Sequence, residues 1–177
     1  MSKGGLTPPV GVADHATGPA HAPMTLVEYG DFECSFCGQA YPIVKAVQQR
    51  LGRRLRFVFR NFPLSESHPH AHHAAEAAEA AGAQGKFWEM HDALYEHQDR
   101  LDDRALVGYA AGIGADAKRV ARDIEAGTYA DKVRSDFRGG VRSGVNGTPT
   151  FFINGQRYDG SWMDPDAFAQ ALNEAAQ

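Results

Sequence analysis

A chain of 177 residues, 43% of them hydrophobic, is long enough to bury one proper core and is about the size of one domain with an insertion. Its net charge of -4, with both signs spread along the chain, lacks the positive field that a nucleic acid or an anionic membrane requires. No stretch approaches the roughly 18 apolar residues of a membrane span, so neither nucleic acid nor membrane is expected as a partner.

Residues 1–23 hold several Gly and Pro residues and few large apolar ones, too little to offset their ordering entropy by burial. They read as a mobile arm, with Val10 to Val12 as a short edge strand. The arm lacks the apolar run of an export signal, and the chain is expected to be cytoplasmic. A trimmed signal would change the compartment but not the chemistry. Residues 24–64 form the first part of the α/β core. Met24 to Tyr29 is apolar apart from Thr25 and Glu28 and suits a strand covered on both faces. Ala40, Val44, Val47 and Leu51 then fall at helical spacing, with Gly52 as a C-cap and Pro42 inside the helix. Leu55, Phe57 and Phe59 alternate with Arg56, Val58 and Arg60, which completes a βαβ unit before Pro63.

Residues 65–143 change to helix formers: His73 to Ala81, Lys86 to His97, Asp103 to Ala111, and Asp116 to Val141 with a break near Gly127. Four or five helices of usual length fit this all-helical insertion. Residues 144–177 return to strand and helix. Thr150 to Ile153 is a short apolar strand, Asn154-Gly155 is a strong hairpin signal, and Gln156 to Tyr158 is the returning strand. Asp164 and Pro165 open a last helix through Phe168 and Leu172.

The chain has two cysteines, Cys34 and Cys37. In a reducing compartment such a pair is a redox centre or half of a metal site rather than a staple. The order strand, Cys34-Ser35-Phe36-Cys37, helix puts the first thiol at a helix N-terminus, where unpaired N–H groups and the macrodipole favour the thiolate. Cys34 is therefore the expected nucleophile. Cys37, one turn later on the same side and more buried, is the expected resolving thiol. A four-thiol zinc site would need a second pair, which the sequence lacks.

The segment Val27-Glu28-Tyr29-Gly30-Asp31-Phe32-Glu33-Cys34-Ser35-Phe36-Cys37 resembles the active-site region of DsbA-like thiol-disulfide oxidoreductases of the thioredoxin superfamily. The helical block and Gly147-Thr148-Pro149-Thr150-Phe151 resemble the same family, and the likeness extends from about Asp14 to Leu172. It implies a thioredoxin-like fold with an inserted all-helical domain, a cis peptide bond at Pro149, and a Thr148 backbone that pairs with substrate, where Ser35 and Phe36 also make contact. It further implies that Glu28 is a buried acid exchanging protons with Cys37; a strand-end acid reaching solvent is the alternative. Protein thiols and disulfides are the expected substrates, with a redox partner or glutathione, and no metal or other cofactor beyond the dithiol. Ser35-Phe36 departs from the Pro-His or Gly-Pro that familiar members place between the cysteines, which leaves the direction of electron flow open.

Two other functions fit part of the pattern. One is a metal-binding module using Cys34, Cys37 and some of His68, His70, His72 and His73, since imidazole suits Zn, Cu or Ni. These histidines straddle a helix start and project in different directions, so they are expected to be solvated and partly cap-related. The other is a glutathione-dependent isomerase or transferase on a similar scaffold, where the second cysteine is generally dispensed with. Phe87, Trp88, Met90, Leu94 and Tyr95 form an apolar helical stripe expected in the core.

Overall fold

The computed structural model describes residues 4–177. The chain divides into two compact units, one of Met1–Gly30, Gln39–Arg60 and Arg138–Gln177, the other of Asp31–Gly38 and Asn61–Phe137.

The first unit is built on a five-stranded sheet. It contains β1 (His15–Thr17), β2 (Met24–Gly30), β3 (Leu55–Asn61), β4 (Thr150–Ile153) and β5 (Gln156–Tyr158), in the order β1-β3-β2-β4-β5. Every residue of β2 except Thr25 is buried, as its continuous apolar run requires of a strand covered on both faces. The alternation in β3 does not produce a wet face, because only Arg56 of that strand escapes full burial. The helix α1 (Ser35–Leu51) joins β2 to β3, runs through Pro42 and buries Ala40, Val44, Val47 and Leu51. Asn154 and Gly155 have φ of 49° and 80°, the left-handed pair that a two-residue hairpin between β4 and β5 demands. The last helix, here called α7 (Pro165–Ala175), packs on β2 and buries Phe168 and Leu172. Its Asp164 cap accepts the Asp166 N–H at 2.9 Å, which satisfies one of the helix's orphan donors.

The expectation of a mobile arm over 1–23 is corrected for residues 4–23; residues 1–3 lie outside the described residues. The Leu6 N–H donates to Gly155 O at 2.9 Å and the Thr7 N–H to Ser143 Oγ at 2.9 Å. The strand expected at Val10 to Val12 falls instead at β1, paired antiparallel with Phe57–Phe59. The reason is the buried Arg60 (3% exposed). Its guanidinium holds Asp14 through two bonds of 2.8 and 2.9 Å, and also donates to Pro8 O, Pro9 O and the Tyr29 hydroxyl. One fork of donors thus organises the segment before β1, and hydrogen bonding supplies the order that apolar burial could not.

The second unit contains α2 (Ala71–Gly82), α3 (Phe87–Glu96), α4 (Asp103–Gly112), α5 (Ala117–Ala126) and α6 (Ala130–Arg142) through Phe137. Alanine dominates α2, and this helix packs against α3, α4 and α5 at once. Small side chains allow helices to approach at the short end of their usual spacing. Met90, Leu94, Leu106, Val120, Ile124 and Val133 fill the surrounding core. The stripe on α3 is core at Phe87, Met90, Leu94 and Tyr95, with Trp88 half-buried. The expected insertion boundaries, 65–143, shift at both ends: residues 31–38 pack with the helices, whereas the last turn of α6 belongs with the sheet.

Candidate active site

Residues 31–38 leave β2 as a turn and enter α1. The Cys34 N–H donates to Asp31 O at 3.1 Å, and Cys34 O accepts the Gly38 N–H at 3.1 Å as the first bond of the helix. Cys34 is therefore the residue at the helix N-terminus, and the open donors of the first turn surround it. Cys34 is 5% exposed and Cys37 0%, the order expected of an attacking and a resolving thiol. Ser35 is exposed and Phe36 is 54% exposed, unusual for a side chain of that size.

Side chains from the helical unit fix this turn. The Phe32 ring packs at 5.0 Å from Tyr95 and edge-on at 5.8 Å from His91, both on α3. Gln98, just past α3, donates its amide nitrogen to Phe32 O at 2.8 Å and to Cys34 O at 2.9 Å. That bridge requires a glycine at position 38, where a Cβ would lie 2.0 Å from the Gln98 amide oxygen. Glu33 Oε1 accepts the His70 N–H at 3.1 Å. Asp31, its side chain fully buried, accepts the Glu33 N–H on one oxygen at 2.8 Å; its other oxygen takes the Leu64 N–H at 2.9 Å and meets His68 Nδ1 at 2.7 Å. Burial alone would lower the His68 imidazole, but the hydrogen bond and charge of Asp31, with Cys34 and Glu33 adding theirs, raise it above its ordinary value.

Gln98 and Gly38 give a testable sign reversal. Gln98→Ala forfeits two hydrogen bonds and is expected to cost about 1–3 kcal/mol, at about 0.5–1.5 each. Gly38→Ala displaces the same amide and costs a similar amount. In the Gln98→Ala background the added methyl meets no amide and gains helix propensity, so Gly38→Ala becomes stabilising by up to about 1 kcal/mol. Urea unfolding of the four proteins checks this, and simple additivity would contradict the bridge.

The other expected site residues lie in the sheet unit. Glu28 is buried at 3% exposure, opposite Phe151 of β4, so the alternative of a strand-end acid reaching solvent is set aside. The Thr148–Pro149 peptide bond is cis. Beside it the Thr150 hydroxyl donates to Gly147 O at 2.7 Å, and Thr148 and Pro149 are half-buried. The histidine cluster disperses among carboxylates: His68 to Asp31, His72 to Glu76 at 3.4 Å, and His73 to Asp103 at 2.7 Å. His70 stands at the N-cap of α2 without a side-chain cap bond. Among the described residues no group of three or more His, Cys, Asp or Glu side chains is placed to hold a metal ion. Asp31, His68, Gln98 and Gly38 carry the geometry of the turn; sequence reasoning assigned no role to Asp31, Gln98 or Gly38, and considered His68 only within the histidine cluster.

A family model described as Thioredoxin matches residues 11–174. The chain belongs to the thioredoxin family. Among solved structures, this thioredoxin-family chain is similar to oxidised BdbD from Bacillus subtilis, with a TM-score of 0.87, 21% identity, and coverage of 99% of this chain and 97% of that one. It also resembles a thioredoxin-like oxidoreductase from Silicibacter pomeroyi DSS-3, with a TM-score of 0.82, 25% identity and 93% of each chain covered. A third likeness is to the thiol-disulfide exchange protein alpha-DsbA2 from Wolbachia pipientis, with a TM-score of 0.79, 19% identity, and 92% and 87% covered. The fold is thus thioredoxin-like and of the DsbA type. A curated relative, Na(+)/H(+) antiporter NhaA 1 of Salinispora arenicola, is 46% identical over 162 residues, 92% of this chain but 24% of that protein. The chain spans about a quarter of the length of the curated relatives it matches.

Proposed function

We propose that this chain is a thiol-disulfide oxidoreductase that exchanges disulfides with protein substrates through Cys34 and Cys37. The observation that carries the reading is Cys34 at the N-terminus of α1 with Cys37 one turn behind it, more deeply buried. The Cys34 thiolate attacks one sulfur of a substrate disulfide, and the departing substrate sulfur takes up a proton. The Cys37 thiol then loses its proton and attacks Cys34 in the mixed disulfide, expelling the second substrate thiol. Two electrons pass from protein to substrate, with one proton from Cys37 and one from solvent, and the protein is left as its disulfide; the reverse sequence oxidises a substrate dithiol.

Phe36 and Ser35, exposed beside the nucleophile, are proposed to meet the apolar and polar parts of an extended peptide. The proton role of Glu28 and the substrate-pairing role of Thr148 and Pro149 belong to the same proposal and rest on the family resemblance. A redox partner or glutathione would reset the pair, and a cytoplasmic setting would keep it reduced at rest. Trapping tests the reading. Cys37→Ser is expected to accumulate mixed disulfides between Cys34 and substrate proteins, and failure to capture any would refute protein substrates.

A further inference from the structure

The Cys34-Ser35-Phe36-Cys37 motif carries no cationic side chain of its own. Ser35 and Phe36 are neutral, and the acids that flank the turn, Asp31 and Glu33, oppose a thiolate. The helix N-terminus favours one, but only through partial charges. The segment after β3 brings an imidazole, a side chain that can take up a positive charge near neutral pH, to this turn. His68 Nδ1 lies 2.7 Å from Asp31 Oδ2. The same Asp31 accepts the Cys34 N–H through its backbone and the Glu33 N–H through its other carboxylate oxygen. The Leu64 N–H, also bound to Asp31, and the His68 N–H, bound to Leu64 O at 2.9 Å, lock the 64–68 turn onto this carboxylate. His68 is 25% exposed at its side chain, so its charge is only partly screened.

We propose that His68, oriented by Asp31, is the cationic partner that stabilises the Cys34 thiolate. Asp31 is then a positioning residue. It takes the Nδ1 hydrogen, so the second proton, the one that creates the cation, resides on Nε2. This inference rests on the dithiol reading above and names the source of its reactivity. The charges that act on His68 are Asp31, Cys34 and Glu33, all negative; they raise its affinity for the proton despite burial. Coupling is reciprocal: by whatever factor the Cys34 thiolate favours protonated His68, protonated His68 favours the thiolate.

The pH dependence has a definite sign. Because the folded value of His68 is raised, the stability it contributes is complete below the ordinary value of about 6.5 and is lost as pH rises through the folded value. The help given to Cys34 fades over the same upper range. Converting the dithiol to the disulfide removes the Cys34 charge, so the midpoint of His68 falls on oxidation.

The full chain can be tested in three ways. His68→Gln is expected to raise the pH midpoint of Cys34 alkylation. It should also shift the equilibrium of protein dithiol plus glutathione disulfide with protein disulfide plus two glutathione toward the protein disulfide. The expected shift is about tenfold, equivalent to about 30 mV for this two-electron couple. His68→Arg, which keeps a cation, is expected to restore most of the low alkylation midpoint; a merely structural role would not. If His68→Gln does not fold, the imidazole of the unaltered protein is titrated by NMR in both redox states, and a lower midpoint in the disulfide form is expected. An unchanged Cys34 midpoint in folded His68→Gln, or identical His68 titrations in the two states, would overturn the inference. Alkylation needs no disulfide substrate, so a protein that traps no substrate yet shows these shifts refutes the proposed activity and leaves the His68 pairing standing.

Discussion

Cys34→Ser is expected to reduce disulfide exchange to the uncatalysed rate, while Cys37→Ser is expected to stop after the first half-reaction. The difference follows from their positions. Cys34 occupies the helix N-terminus and, in the proposed reaction, supplies the attacking sulfur; a serine there is far too weak an acid to form the corresponding alkoxide at neutral pH. Cys37 is fully buried in the first turn and, as the proposed resolving thiol, acts after a substrate is attached to Cys34. Stopped-time quenching with a model disulfide separates the two. The Cys37→Ser protein should release one equivalent of substrate thiol and stall, and Cys34→Ser should release none. Equal residual activity in both variants would contradict the assignment of roles.

The second large effect is on stability. Arg60→Met is expected to cost about 3–5 kcal/mol, the usual penalty for stranding one member of a buried ion pair. The Asp14 side chain is 9% exposed and takes two bonds from the guanidinium. Its loss would also leave the Pro8 and Pro9 carbonyls and the Tyr29 hydroxyl without that donor. For a chain of this size the melting temperature should fall by about 6–20 °C. Arg60→Lys keeps the charge but not the fork and should recover only part. Adding Asp14→Asn to Arg60→Met should relieve part of the penalty, because a neutral amide tolerates burial better than a carboxylate that has lost its guanidinium counter-ion. A loss below about 1 kcal/mol in denaturant titrations of Arg60→Met would show that the network does not anchor residues 4–23.

Features encoded locally were legible in the sequence. The cysteine spacing before a helix, the Asn154-Gly155 turn and the Asp164-Pro165 helix start each rest on a few adjacent residues, and each is found where expected. Apolar periodicity located the core strands and the helices of the second unit for the same reason. What escaped is held by polar pairs distant in the chain. Arg60 sits in an alternating pattern that normally means a wet face, and only the folded chain shows its partner 46 residues away. His68 was visible as one of four clustered histidines, but a shared position in sequence drew attention to a joint metal role. Its actual partner, Asp31, is 37 residues earlier, and each neighbouring histidine goes its own way. Gln98, bound 64 residues from Cys34, carries no local signature; Gly38, a glycine in the first turn of a helix that already has a cap, was the one available hint.

The alkylation rate of Cys34 as a function of pH tests the central claim most directly. A thiol at the N-terminus of α1, aided by the proposed His68 cation, is expected to react with a midpoint well below about 8.5, the value for an unperturbed cysteine. A midpoint at or above that value would mean that the first turn of α1 does not activate its sulfur, and the proposed exchange chemistry would have no nucleophile.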